Sequence, residues 1–266
     1  MTGPTPPTYE TLLVADDGSG VRTITLNRPA QKNAISRTMF LELREEFRSL
    51  SADPSLARCV VITGAGGEFC SGAQLGEAGD RPMHGLAWMR QVGECCAALH
   101  ALPQPVIAKV VGVAAGAGCN LALGCDLIVA ADNARFSEIF ARRGLSIDFG
   151  GSWVLPRLVG LHKAKELALF ADVIPVAEAE RIGIVNRVVP VDEIDAFVDD
   201  WATRLASGPP IALSMTKKLL NASFSSTIEE ALENEGVAQN VNFPTHDTTE
   251  AMLAFAEKRQ PVFKGH

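Results

Sequence analysis

Two glycine-bearing segments, Glu68–Leu75 (EFCSGAQL) and Val110–Leu121 (VVGVAAGAGCNL), each follow an apolar, strand-like run. Their small residues let a ligand approach bare backbone N–H groups. In the first, Gly72 and Ala73 follow the run that ends at Thr63, and Ala73 N–H is the expected donor. In the second, Gly116, Ala117 and Gly118 stand where the chain should enter a helix, whose unpaired N–H groups and dipole favour negative charge. Two amides converging on one oxygen stabilise an oxyanion, the species formed when a thioester is enolised or attacked. A tight turn under a helix, or close helix–sheet packing, would require the same small residues. Neighbouring Cys70 reads as a small buried hydrophobe.

Carboxylates near these segments are candidate acids and bases. Asp148 lies in the loop Gly144–Gly151 (GLSIDFGG) before a helix expected from about Ser152. There it could also serve simply as an anion at a helix N-terminus. Glu138 stands two residues before Phe140, and on a strand the two would share a face. A surface pairing with Arg142 or Arg143 is its plainer reading, and Glu94 reads as a solvated helix face. His84 and His100 share one expected helix, His162, His246 and His266 are isolated, and no spacing suits a metal. Six scattered cysteines, Cys95–Cys96 among them, read as reduced thiols of a cytoplasmic protein.

The elements that must position these groups read as a soluble α/β chain. At 266 residues, 47% hydrophobic and 21% charged, it can bury a large core. A formal charge of −7 argues against nonspecific binding to nucleic acid or anionic membranes. Neither a bilayer-spanning run nor a signal-peptide pattern is expected. Strands are predicted at Thr11–Asp16, Val21–Leu26, Arg58–Thr63, Val106–Val111 and Asp126–Ala131. Helices are predicted from a Ser36 cap to about Leu50, over Met83–Leu102, and briefly through Leu123. Strand, glycine turn and helix recur, as in stacked βα-type units. A Rossmann-type dinucleotide site would need an acid after the next strand, and the spacing fits poorly. Beyond Val191 four helices follow, Asp192–Ser207, Pro210–Ala222, Ser226–Val241 and Thr245–Lys258, expected to pack outward, on another subunit. The expected division is a leader at 1–8, a core at 9–190 and a helical oligomerisation region at 191–266.

The chain resembles the crotonase (enoyl-CoA hydratase/isomerase) superfamily in Leu26–Ala34 (LNRPAQKNA), Phe69–Leu75, Gln104–Ala131, Gly144–Gly160 (GLSIDFGGSWVLPRLVG) and Ala254–Gly265 (AFAEKRQPVFKG). The resemblance covers nearly everything beyond the leader. It implies a crotonase-like ββα spiral core, a C-terminal α-helical trimerisation region, trimers or hexamers, and acyl-CoA substrates. It also places the oxyanion donors at Ala73 and Ala117. Where the hydratases carry two glutamates, this chain has Asn120 and Phe140, neither able to exchange a proton near neutral pH. Asp148 matches the proposed acid/base of phenylacetate-pathway ring-epoxide isomerases and related enoyl-CoA isomerases, although Ile147 replaces a frequent proline. For CoA, the resemblance implies main-chain contacts around Ser71, Gln74 and Leu75, with Gly116 and Phe140 nearby. It adds Arg28 or Lys32 near the phosphates, and Phe263 and Lys264 from a neighbouring subunit. The expected function is enoyl-CoA isomerisation, with hydration in fatty-acid or aromatic-acid degradation, or non-catalytic acyl-CoA binding, as alternatives. No cofactor is expected beyond the CoA that the thioester carries.

Overall fold

The computed structural model describes residues 8–74 and 84–266. The leader to residue 7, Leu75, and the start of the helix expected from Met83 therefore lie outside the described residues. Strands β1 (Leu12–Asp16) and β2 (Val21–Leu26) form an antiparallel hairpin. Its turn is closed by the Asp17 carboxylate, which accepts from Ser19 N at 2.7 Å. Helix α1 (Arg37–Ala52) opens where Ser36 Oγ accepts from Met39 N. Phe40, Leu43 and Phe47, spaced at helical intervals, turn one face of α1 into the core.

There follow β3 (Cys59–Gly64), α2 (Gly85–His100), β4 (Val106–Val110), β5 (Val113–Ala115), α3 (Ala117–Leu123), β6 (Leu127–Ala131) and β7 (Arg135–Ser137). A 3-10 turn at Ile139–Arg143 leads to α4 (Gly151–Phe170), interrupted at Gly160, whose φ is 76°. Then come β8 (Ile174–Pro175), α5 (Val176–Arg181), β9 (Arg187–Val189), α6 (Ile194–Ala206), α7 (Pro210–Ala222), α8 (Ile228–Asn242) and α9 (His246–Glu257). Helix α8 starts later than Ser226 because Thr227 and Glu230 form a reciprocal capping box.

Strands β1-β2-β3-β4-β6-β9 make one sheet in that order, parallel after the hairpin. A smaller sheet has the order β5-β7-β8. Cys70 bridges to Ala114 of β5, and Ala73 bridges to Ile35, so the first glycine segment joins the smaller layer. The repeated unit is thus a long strand, a sharp turn, a short strand and a helix: β4–β5–α3, then β6–β7–α4. The second glycine segment does not run straight from strand to helix as expected. Gly112, at φ 63°, turns the chain, and β5 intervenes.

The main core lies between the sheets and α1 to α4, with Phe47, Phe69 and Phe136 fully buried. Helix α6 does not pack outward. Its Ile194, Val198, Ala202 and Ala206 cover the other face of the large sheet against Val61, Ile107 and Val129. A parallel sheet needs both faces covered, so α6 completes the core, and the helices departing from it begin at α7.

Candidate active site

A buried asparagine fastens the loops that carry the first amide. Asn33 holds a left-handed φ of 55°. Its Oδ1 accepts from Arg28 N at 2.9 Å, and its Nδ2 donates to Ala65 O at 2.8 Å and Glu68 O at 2.6 Å. Glu68 in turn accepts from Val113 N at 2.6 Å and pairs with Lys32 at 2.9 Å, which keeps its carboxyl below the usual range. Ser71 N donates to Lys32 O at 3.0 Å. The bonds made by Glu68 and Ser71 tie the segment 27–34 and β5 to the first glycine segment.

The two amides then follow from local geometry. Ile35 N donates to Gly72 O at 2.8 Å, and Gln74 N donates to Ile35 O at 2.9 Å. A parallel bridge uses these flanking groups, so Ala73 N–H points away from Ile35. Gly72 has φ 105°, and a Cβ there would lie 2.9 Å from Ala115 O and 3.9 Å from Ala117 N. Only glycine permits that approach. Ala117 is the first residue of α3, where an N–H has no partner within the helix. Its predecessor Gly116 (φ 53°) donates to Ser137 O, and a Cβ there would lie 3.8 Å from Phe140 Cζ. Gly72, which precedes Ala73, thus lies close to Gly116 and Ala117, with Phe140 beside Gly116.

Next to them sits a polar cluster built on Asn120, which is 1% exposed. Its Nδ2 donates to the backbone carbonyl of Asp148 at 2.9 Å and to Glu138 Oε2 at 3.3 Å. Phe149 (φ 47°) and Gly150 (φ 77°) make two successive left-handed steps that bring this carbonyl inward. Gly151 N donates to the same carbonyl at 3.0 Å. The Asp148 carboxyl itself caps no helix: α4 has Gly150 at its N-cap and no side-chain cap bond. Instead Asp148 Oδ1 is buried without a partner among the described residues. Burial pushes its carboxyl up to about 6. The Cys96 thiol, facing it, is pushed up by burial and by that charge.

Glu138 is not a surface residue paired with arginine. It is 3% exposed, and Arg142 pairs with Asp172 instead. Burial is the largest cause pushing its carboxyl up to about 7, with Asp148's charge adding to the rise. The Cys119 thiol stands close enough to interact with it, a neighbour unsuspected from sequence. A lone asparagine in the apolar helix AGCNLAL was the available signal, because a buried amide needs partners.

Gly151 makes room for this cluster: a Cβ there would lie 2.6 Å from Asn120 Cγ. Its backbone is helical, so alanine would act sterically alone. Gly151→Ala is expected to dislodge Asn120 from the Asp148 carbonyl and lower kcat about tenfold or more, because small misplacements of a catalytic group are costly. Steady-state kinetics check this, with circular dichroism to confirm the fold.

Other expected positions fall apart from the cluster. Trp153 lies under the Arg157 guanidinium, 3.9 Å from the ring centroid, and lines a cavity of about 490 Å³ between α2, α4 and α7. That cavity meets the cluster through Cys96, Asn120, Phe149 and Gly150. Arg28 Nη1 donates to Ala34 O at 2.6 Å. Phe263 O accepts from Arg58 at 2.9 Å, and Lys264 N donates to Asp247 at 2.6 Å. All six cysteines are free. Among the described residues, no group of three or more His, Cys, Asp and Glu is placed to hold a metal, and no helix is long and apolar enough to cross a membrane.

Known proteins resemble this chain in sequence and fold. The model of the enoyl-CoA hydratase/isomerase family matches residues 16–266. The 1,2-epoxyphenylacetyl-CoA isomerase of Escherichia coli K12 is 36% identical over 251 residues, covering 92% of this chain and 95% of that protein. The crotonyl-CoA hydratase of Syntrophomonas wolfei is 35% identical over 262 residues, covering 96% and 98%. A crystal structure of an enoyl-CoA hydratase from Bacillus anthracis superposes with a TM-score of 0.91 at 32% identity, covering 97% of this chain and 100% of that one. The chain belongs to the enoyl-CoA hydratase/isomerase family, with the crotonase fold.

Proposed function

We propose that the protein is an enoyl-CoA isomerase that moves a carbon–carbon double bond along an acyl-CoA thioester. The Ala73 and Ala117 N–H groups hold the thioester oxygen as it gains negative charge. The Asp148 carboxylate removes a proton from the carbon next to the thioester and returns it at the far end of the allylic system. The proton and the electron pair are both conserved, so no cofactor is needed beyond the CoA of the substrate.

The observation that carries this reading is the Asp148 carboxyl: half-buried, with its Oδ1 buried and without a partner among the described residues, and raised to about 6. It can therefore both take and give a proton near neutral pH. Hydration would need a second group to activate water. The place that the family resemblance gives to that group holds Phe140, whose ring packs by Gly116. Hydration remains the second reading, favoured by Glu138 raised to about 7 and by the relatives named hydratases. Incubation with a 3-enoyl-CoA and with a 2-enoyl-CoA separates the two. Isomerisation of the first is expected; 3-hydroxyacyl-CoA from the second, without isomerisation of the first, would overturn the proposal.

A homo-oligomer, trimer or hexamer, is part of the same reading. Large apolar side chains stand exposed on α4 and α7 to α9, including Leu169 at 72% and Phe255 at 85%. Such a surface is more apolar than a monomer keeps in water.

A further inference from the structure

The buried carboxyl of Glu138 has no part in the chemistry just described, yet it shares the Asn120 amide with Asp148. We propose that Glu138 is a positioning residue for the proton transfer: through Asn120 it fixes the Asp148 loop, and it feels the Asp148 charge across that amide. This rests on Asp148 being the base.

The bonding leaves Asn120 one orientation. The Asp148 carbonyl can only accept, so the amide must present Nδ2 to it, at 2.9 Å. The second hydrogen of Nδ2 then reaches Glu138 Oε2 at 3.3 Å. Were the amide reversed, Oδ1 would face the carbonyl oxygen and repel it. An ionised Glu138 strengthens the working orientation, because a charged acceptor makes the stronger bond. Asn120 Oδ1 and Glu138 Oε1 are both buried and without partners among the described residues, so neither side chain is held there by another bond at those atoms.

The second half of the proposal follows from what surrounds Glu138. From α3 it meets Cys119 and Asn120, and from the 144–150 loop it meets the charge of Asp148. The small cavity beside it is otherwise walled by Phe136, Leu155, Leu167, Ile174 and Ile184, which carry no charge. No cation among these neighbours balances two carboxylates. Like charges in one site oppose each other, and the opposition falls on the group that ionises second. Glu138, raised to about 7, ionises after Asp148, raised to about 6, so removing the Asp148 charge should let Glu138 ionise more easily.

Glu138→Gln keeps an acceptor for Nδ2 and removes the charge, whereas Glu138→Ala removes both. The intact protein, labelled with ¹³C at glutamate carboxyls, is titrated by NMR, with the Glu138 resonance assigned by its loss in Glu138→Gln. The Glu138 midpoint is expected to fall by roughly half a pH unit or more in Asp148→Asn. In kinetics, Glu138→Ala is expected to lose about tenfold or more in kcat with KM changed less than about twofold, and Glu138→Gln to recover most of it. Equal Glu138 midpoints in wild type and Asp148→Asn, or undiminished kcat in Glu138→Ala, overturn the proposal. A midpoint that falls in Asp148→Asn while that variant keeps wild-type turnover supports the coupling and overturns Asp148 as the base, so the two failures are told apart.

Discussion

Asp148→Asn is expected to lower kcat by about 10²–10⁴-fold with little change in KM, the usual span for losing a positioned acid/base. The amide keeps the size of the carboxyl and the backbone carbonyl that Asn120 and Gly151 hold. It cannot carry the proton. In the wild type, kcat/KM should fall as pH drops through about 6, because the base must be ionised and burial makes it hold its proton up to about 6. The variant's residual activity should lack that limb. Stability should move the other way. A carboxyl raised by folding binds its proton more tightly in the native state, so its contribution is lost as pH rises through about 6. Above that pH the wild type buries a charge and the variant does not. Asp148→Asn should then be more stable, by on the order of 1 kcal/mol once partial solvent access is allowed for. Lost turnover with retained or raised Tm marks a site residue. Turnover within about threefold of wild type would remove Asp148 from the mechanism.

Ala117→Pro carries the second large effect. A proline lacks the N–H that is proposed to face the thioester oxygen, while the first position of a helix tolerates proline because its N–H is unpaired anyway. Ala117 occupies that position in α3. Deleting one oxyanion donor costs about 10²–10³ in kcat. Ala117→Gly, which keeps the donor, should retain most activity, and isothermal titration with a saturated acyl-CoA should show ground-state binding weakened far less than kcat. Full activity in Ala117→Pro, with the fold verified, would place the oxyanion elsewhere.

Much of the site was legible before the fold was. Small residues where a strand meets a helix admit few explanations, and Gly72 against Ala115 shows the close approach they imply. The buried strands β3, β4 and β6 read directly from their apolar runs. Strands β5 and β7, each three residues, are too short to show a period, so the second layer stayed hidden. Glu138 was misjudged for a related reason. Strand alternation links it to Phe140, but a 3-10 turn begins at Ile139 and re-aims the side chains. For α6, an amphipathic helix carries the same pattern whether it covers its own sheet or a neighbour's, and only the fold distinguishes them.

The left-handed Phe149 ties two properties of the pocket together. Its ring is buried against Phe40, 5.8 Å between centroids, while its backbone adopts a conformation that side chains other than glycine, asparagine and aspartate rarely accept. Any replacement must fill that wall and still tolerate φ near 47°. On the proposed reading, reshaping that wall for a longer or wider acyl group would disturb the adjoining carboxyl as well, so substrate range and proton transfer would change together.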